Sequence, residues 1–146
     1  EHVPNPFPVL QAVRRLLSER GLCLIRVPVS SSYAWERFGV DWVQLDAPRH
    51  LFLHSVESMR RLAVATGFDL VRVAHDSHSI QFWGSEGYAR DVALKDQTKG
   101  RGLGKIAWAV RKLRMDREAA RLNREGRGDQ AAFVLVKTPS SAGAPA

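Results

Sequence analysis

A helix-patterned segment, a glycine and an apolar run follow one another three times in this chain, and this succession restricts the fold more than any other feature. From Val9 the apolar residues Leu10, Val13, Leu16 and Leu17 keep one helical face, with Arg14, Arg15, Glu19 and Arg20 off it. Asn5-Pro6-Phe7-Pro8 suits the entry, because a proline in the first turn gives up only an N–H that would be unpaired there. Gly21 is placed to supply a left-handed C′ residue. Leu22 to Pro28 is then almost unbroken apolar sequence, which predicts a strand covered on both faces, as in a parallel sheet. In the second round Ser55 is a good N-cap, Met59, Leu62, Ala63 and Thr66 keep helical spacing, and Gly67 ends the helix before Phe68 to His75. Asp69, Arg72 and His75 interrupt that run, which predicts an edge strand guarded by charge.

A third round closes the chain. Leu103 to Glu125 predicts a helix with Leu103, Ile106, Ala107, Val110 and Leu113 along its apolar face. After Gly126-Arg127-Gly128-Asp129, the run Ala131 to Val136 has no polar residue and predicts a central strand buried on both faces. Helices alternating with strands give an α/β fold, with residues 1–137 as one domain and 138–146 as a disordered tail by composition. Gly100 to Lys105 is glycine-rich but lacks the spacing of a phosphate-binding loop, and no buried strand precedes it.

Two stretches fall outside this rhythm. Tyr33 to Ser55 mixes Tyr33, Trp35, Phe38, Trp42 and Phe52 with Asp41, Gln44, Asp46, Arg49, His50 and His54. Asp76 to Asp96 repeats the mixture with Phe82, Trp83 and Tyr88 beside His78, Gln81, Ser85 and Glu86. Both read as ordered loops. Aromatic surface with a few polar heads is the composition of a ligand cleft, and also of a loop merely pinned by aromatic plugs.

The 146 residues suffice for one domain, and no apolar run approaches the roughly 20 residues that cross a bilayer. The start has no export pattern, so the cytoplasm is the default compartment. A lone Cys23 excludes an internal disulfide. The net charge of +7 is concentrated between Lys99 and Arg127, where ten basic residues face three acids.

Four segments, in order, resemble the C-terminal half of a class I S-adenosylmethionine-dependent methyltransferase of the small-molecule branch. Glu1-His2-Val3-Pro4-Asn5-Pro6 is similar to the segment after that family's fourth strand, and Leu16-Leu17 through Gly21 with Leu24 to Pro28 to its helix end and fifth strand. Asp46-Ala47-Pro48-Arg49-His50 is similar to an insert after the fifth strand. Gly67-Phe68 and Gln130 to Lys137 fit its sixth and seventh strands. The resemblance implies a partial Rossmann-like sheet, with the seventh strand antiparallel between the fifth and sixth. The family's glycine-rich loop and ribose-holding acid lie upstream of these segments, and the chain opens on Glu1 rather than Met. The expectation is a fragment lacking the N-terminal cofactor-binding half, which alone neither holds S-adenosylmethionine tightly nor catalyses.

The resemblance implies methyl transfer to oxygen or nitrogen of a small-molecule acceptor. Its insert places His50 at the active-site mouth as base or acceptor-orienting group, since imidazole takes up and gives back protons near neutral pH. Asp46 would orient the ring and Arg49 would hold an anionic group. Tyr33, Trp35 and Trp42 would form walls, with Gln81 and Trp83 closing the pocket from the second stretch. Glu1 and His2 would stand at the cofactor edge; as two ligands make a poor metal site, no metal is assigned. A bland alternative pairs Asp46 with Arg49 and leaves His50 capping a loop. Rival functions are a non-catalytic interaction domain or remnant, and nucleic-acid binding through the basic helix 103–125, ranked below the enzyme for want of a base-reading fold.

Overall fold

A computed structural model describes residues 1–97 and 104–139. Asn5 caps helix α1 (Pro6–Leu16), its side chain accepting from the Phe7 N–H at 3.1 Å, with prolines in the first turn. The helix stops at Leu16, earlier than a Gly21 cap would allow, and Gly21 does not have positive φ. Gly21 is required for space instead: a Cβ there would lie 2.6 Å from Leu17 Cγ. Strand β1 (Leu22–Pro28) follows. Ser55 caps helix α3 (Val56–Ala65) in a reciprocal capping box with Ser58, and Gly67 at φ +77° turns the chain into strand β2 (Phe68–His75). The Gly67 carbonyl accepts from Arg14 Nε at 2.9 Å, tying α1 to this turn.

Strand β3 (Gln130–Lys137) lies between β1 and β2 and is antiparallel to both. The expected topology is therefore present: the last strand is central, and the charged Phe68–His75 strand is an edge. Helices α1 and α3 cover one face. Leu10, Met59 and Ala63 pack there on Val27, Phe68, Ala131, Phe133 and Leu135 to form the main core.

Burial of β1 and β3 on both faces is not observed. Ala131, Phe133 and Leu135 are buried, whereas Ala132, Val134 and Val136 are half-exposed. In β1 the outward residues Leu22 and Leu24 are 65% and 68% exposed. Among the described residues helices cover a single face here, so period-two alternation replaces uniform burial.

The two stretches read as loops are partly helical. Ser32 caps helix α2 (Tyr33–Phe38), which runs into a 3-10 turn at Gly39–Asp41 before the irregular segment 42–54. The second stretch forms helix α4 (Ile80–Tyr88). Its buried positions Gln81, Phe82, Gly84, Ser85 and Gly87 include small and polar residues, which hid the helical period.

Helix α5 (Lys105–Arg124) turns a different face inward from the one expected. Ile106, Val110 and Leu113 are exposed, while Ala119 and Leu122 are buried with Phe82, and Met115 packs beside them. Leu103 and the glycines at 100 and 102 lie outside the described residues, as does the tail from 140 onward. No described helix is long and apolar enough to cross a membrane.

Candidate functional site

The carboxyl ends of β1 and β2 meet the amino end of β3 along one rim. There Val29 N–H donates to the Asp129 carbonyl at 2.9 Å, and Asp76 N–H to the Gln130 carbonyl at 3.1 Å. The lid, residues 33–54, departs from this rim and returns to it: Ser30 N–H donates to the His54 carbonyl, and Val29 bridges His54 in parallel.

Asp129 anchors the lid. Its carboxylate is buried at the head of β3 and accepts from Trp42 Nε1 at 2.9 Å and Gln44 Nε2 at 3.5 Å. Burial pushes its pKa up, against the opposing effect of the hydrogen bonds from Trp42, Ser77 and Gln44. The Gln44 carbonyl in turn faces His50 Nδ1 at 2.8 Å. A carbonyl only accepts, so Nδ1 carries the proton of the neutral ring and Nε2 keeps the lone pair. Asp46, with φ +42°, begins the turn through the cis Ala47–Pro48 bond. Its Oδ2 is 3.8 Å from His50 Nε2, and its Oδ1 accepts from Arg49 at 2.7 and 3.2 Å. The ring is thus oriented by Gln44, a residue not assigned to the site from sequence, while Asp46 faces the other nitrogen.

A cavity of about 310 Å³ opens between the lid and α4, lined by Val43, Gln44, Asp46, Arg49, Ile80, Tyr88, Leu94 and Gln130. It joins two of the expected residues, Asp46 and Arg49, to the unassigned Gln44 and Tyr88. The other aromatic candidates lie elsewhere. Trp42 is fully buried, so it supports the lid and has no surface left to line a cleft. Trp35 packs edge-on against it with ring centres 5.9 Å apart. Tyr33 packs on Phe82 and beneath the Arg127 guanidinium. Gln81 is fully buried, its Nε2 donating to the His78 carbonyl at 3.3 Å. Trp83 lies against Trp108 and lines a separate cavity of about 350 Å³ with Gly87, Arg90 and Arg111.

Glu1 and His2 are drawn to the lid. Leu51 N–H and Phe52 N–H donate to the Glu1 carbonyl at 2.7 and 3.3 Å, and His2 Nδ1 faces the Arg49 carbonyl at 3.0 Å. The His2 and His50 rings lie 4.8 Å apart.

Residues 1–73 match the profile of a methyltransferase domain, a span that takes in β1, the whole lid, α3 and most of β2. The chain belongs to the methyltransferase domain family. The matched half therefore contains Glu1, His2, Asp46, Arg49 and His50, whereas α4, α5 and β3 lie beyond it. A crystal structure described as that of a candidate sarcosine dimethylglycine methyltransferase from Galdieria sulphuraria is similar over 94% of this chain and 49% of its own, at 19% identity and a TM-score of 0.46. The chain thus spans about half the length of that solved chain. No curated protein matches it. S-adenosylmethionine is the methyl donor that the family uses in general.

The basic helix is less open than its composition implied. Arg111 pairs with Glu86, Lys112 with Asp116 at 2.7 Å, and Arg121 with both Glu118 and Glu125. Much of that charge is neutralised within the fold.

Proposed function

We propose that this chain supplies the acceptor-side half of an S-adenosylmethionine-dependent methyltransferase acting on a small molecule. The cavity of about 310 Å³ between lid and α4 carries the reading, because it sets the paired Asp46 and Arg49 beside the half-buried Tyr88 in a volume suited to a small acceptor. Methyl transfer from a sulfonium is an in-line displacement. The protein's work is to align the acceptor, exclude water and take the proton from a hydroxyl nucleophile, or from an ammonium group to free the amine that attacks. His50 does not line this cavity but adjoins Asp46, which does; its Nε2 is the proton acceptor in this reading, with Nδ1–H held by the Gln44 carbonyl. The imidazolium so formed is stabilised by Asp46 Oδ2, 3.8 Å away. Arg49 reaches toward an anionic group of the acceptor, and Glu1 and His2 stand at the cofactor edge. Val43 and Tyr88, which line the cavity, shield the reacting groups from water.

The test is methyl transfer from labelled S-adenosylmethionine to a panel of small hydroxyl and amine acceptors, using the enzyme that carries this chain. Activity that depends on His50, with His50→Ala lowering kcat well over tenfold while the fold persists, is the expected result. Unchanged kcat in a folded His50→Ala enzyme contradicts the base assignment. Failure of every small acceptor contradicts the substrate class.

A further inference from the structure

Glu1 and His2 come from one end of the chain and His50 from the lid, 48 positions beyond His2. Folding brings one donor atom of each to within 4.8 Å of the others. Two imidazoles and a carboxylate gathered by tertiary structure call for a physical reading. The state of the two rings supplies one.

Each ring has its Nδ1 on a main-chain carbonyl: His2 on Arg49 at 3.0 Å, His50 on Gln44 at 2.8 Å. Both neutral rings are therefore Nδ1–H tautomers, and both retain the Nε2 lone pair. Metal-binding histidines almost always donate their other ring N–H to a carbonyl, carboxylate or water, which fixes the tautomer and raises the basicity of the ligating nitrogen. Here that arrangement occurs twice, on adjacent rings inclined at 57°. The carboxylate is at hand, with Glu1 Oε1 3.5 Å from His2 Nε2. The backbone carrying these donors is held in place as well, because two lid N–H groups donate to the Glu1 carbonyl. Only 8% of the His50 side chain is exposed against 61% of that of His2, so the cluster has a covered floor and an open mouth.

We propose that Glu1, His2 and His50 form a binding site for a divalent transition-metal ion of the Zn²⁺ type. Imidazole nitrogens with one carboxylate oxygen suit Zn²⁺, Co²⁺ or Ni²⁺, whereas Mg²⁺ and Ca²⁺ prefer oxygen alone. Ligands about 2.0–2.1 Å from a tetrahedral ion stand roughly 3.4 Å apart, so the cluster closes on the ion by side-chain rotation. Three protein ligands leave a coordination position for water or an exogenous group. Asp46, 3.8 Å from His50 Nε2, stands next to that position. The site does not depend on the acceptor reading. An ion on Nε2 takes the lone pair that a base requires, so the ion-loaded and ion-free states differ in what His50 does.

The test is calorimetric titration of Zn²⁺ into the chelator-treated 146-residue chain, with Co²⁺ absorption as a second probe of coordination. One ion per chain is expected. His2→Ala and His50→Ala should each weaken binding about tenfold or more, while His75→Ala, remote from the cluster, leaves it unchanged. Acetylating the α-amine should also leave affinity unchanged. To guard against misfolded variants, the Nε2 resonances of His2 and His50 in the unaltered chain should both shift on adding Zn²⁺. Absence of stoichiometric binding, affinity unchanged from the natural chain in either alanine variant, loss of binding on acetylation, or resonances that do not move would each overturn the site.

Discussion

The two aromatic and polar stretches, 33–54 and 76–97, have nearly the same composition and opposite uses of it. In the second, polar groups turn inward and are consumed by packing. Ser85 donates to the Gln81 carbonyl at 2.7 Å and accepts from Val43 N–H at 3.0 Å, and Gln81 is fully buried. Gly84 lets α4 approach the lid, since a Cβ there would come within 2.9 Å of Val43 Cγ2. In the first stretch Trp42 turns fully inward while Trp35 and Phe52 stay exposed, and Asp46, Arg49 and His50 stay together with Arg49 outermost and His50 nearly covered. Composition marks both as cleft-like. What separates them is where the backbone finds its hydrogen bonds: α4 satisfies its own, whereas segment 42–54 adds to a few turn bonds of its own partners from Ser85 of α4, Ser30 and Glu1. A segment whose internal hydrogen bonds are confined to short turns has carbonyls to spare, and two of these, from Gln44 and Arg49, face the histidines.

Substitutions can break this contrast. The largest effect is expected at Trp42, the fully buried plug of the lid. Trp42→Ala should cost about 3–5 kcal/mol in chemical denaturation. A loss below about 1 kcal/mol would mean that the lid is not packed as described. His50→Ala removes a nearly covered ring and its hydrogen bond to the Gln44 carbonyl, so it should cost about 1–3 kcal/mol, and it should cut kcat well over tenfold in the enzyme that carries this chain.

Asp129 joins the two regions and separates packing from charge. Asp129→Ala leaves the buried Trp42 N–H without an acceptor and should cost about 1–3 kcal/mol. Asp129→Asn keeps an acceptor oxygen and removes the ionisable group. Burial raises the native pKa of Asp129 above its unfolded value, so between the two values the native state holds more protons. The contribution of this group to stability is complete below the unfolded value and is lost as pH rises through the native one. Relative to Asp129→Asn, the natural protein should therefore lose stability as pH rises from about 3 toward neutrality. Parallel pH profiles of the two proteins would contradict this. Ser85→Ala should give a smaller loss, on the order of 1 kcal/mol, by unpairing Val43 N–H. It should leave the pH profile of catalysis unmoved; a shifted profile would make α4 part of the chemistry rather than its support.

The sheet was readable from the chain because strand burial is written in runs of residues. The charges at Asp69, Arg72 and His75 mark an edge, and the polar-free Ala131–Val136 marks the centre. What misled was degree: apolar Leu22 and Leu24 suggest cover on both faces, but side-chain type reports what a face tolerates, not whether another layer lies on it. Helix α4 was invisible because its buried face uses Gln81, Gly84, Ser85 and Gly87, none of which registers as apolar. At α5 the strongest apolar stripe, Ile106, Val110 and Leu113, is the exposed one, while the inward face relies on the small Ala119 and on Leu122. Asp46, Arg49 and His50 stand within five positions of one another, so their cluster could be seen in sequence. Gln44 and Asp129 could not, because Gln44 acts through its main chain and Asp129 through a contact across 87 positions.

The proposed base and the proposed metal ligand share one atom, the free Nε2 of His50. Long-range ¹H–¹⁵N correlation of the imidazoles, recorded on the 146-residue chain at a pH where histidines are neutral, observes it directly. The hydrogen bond to the Gln44 carbonyl predicts His50 as the Nδ1–H tautomer, with an unprotonated Nε2 resonance. A protonated Nε2 and free Nδ1 would contradict it, removing the base and the metal ligand together.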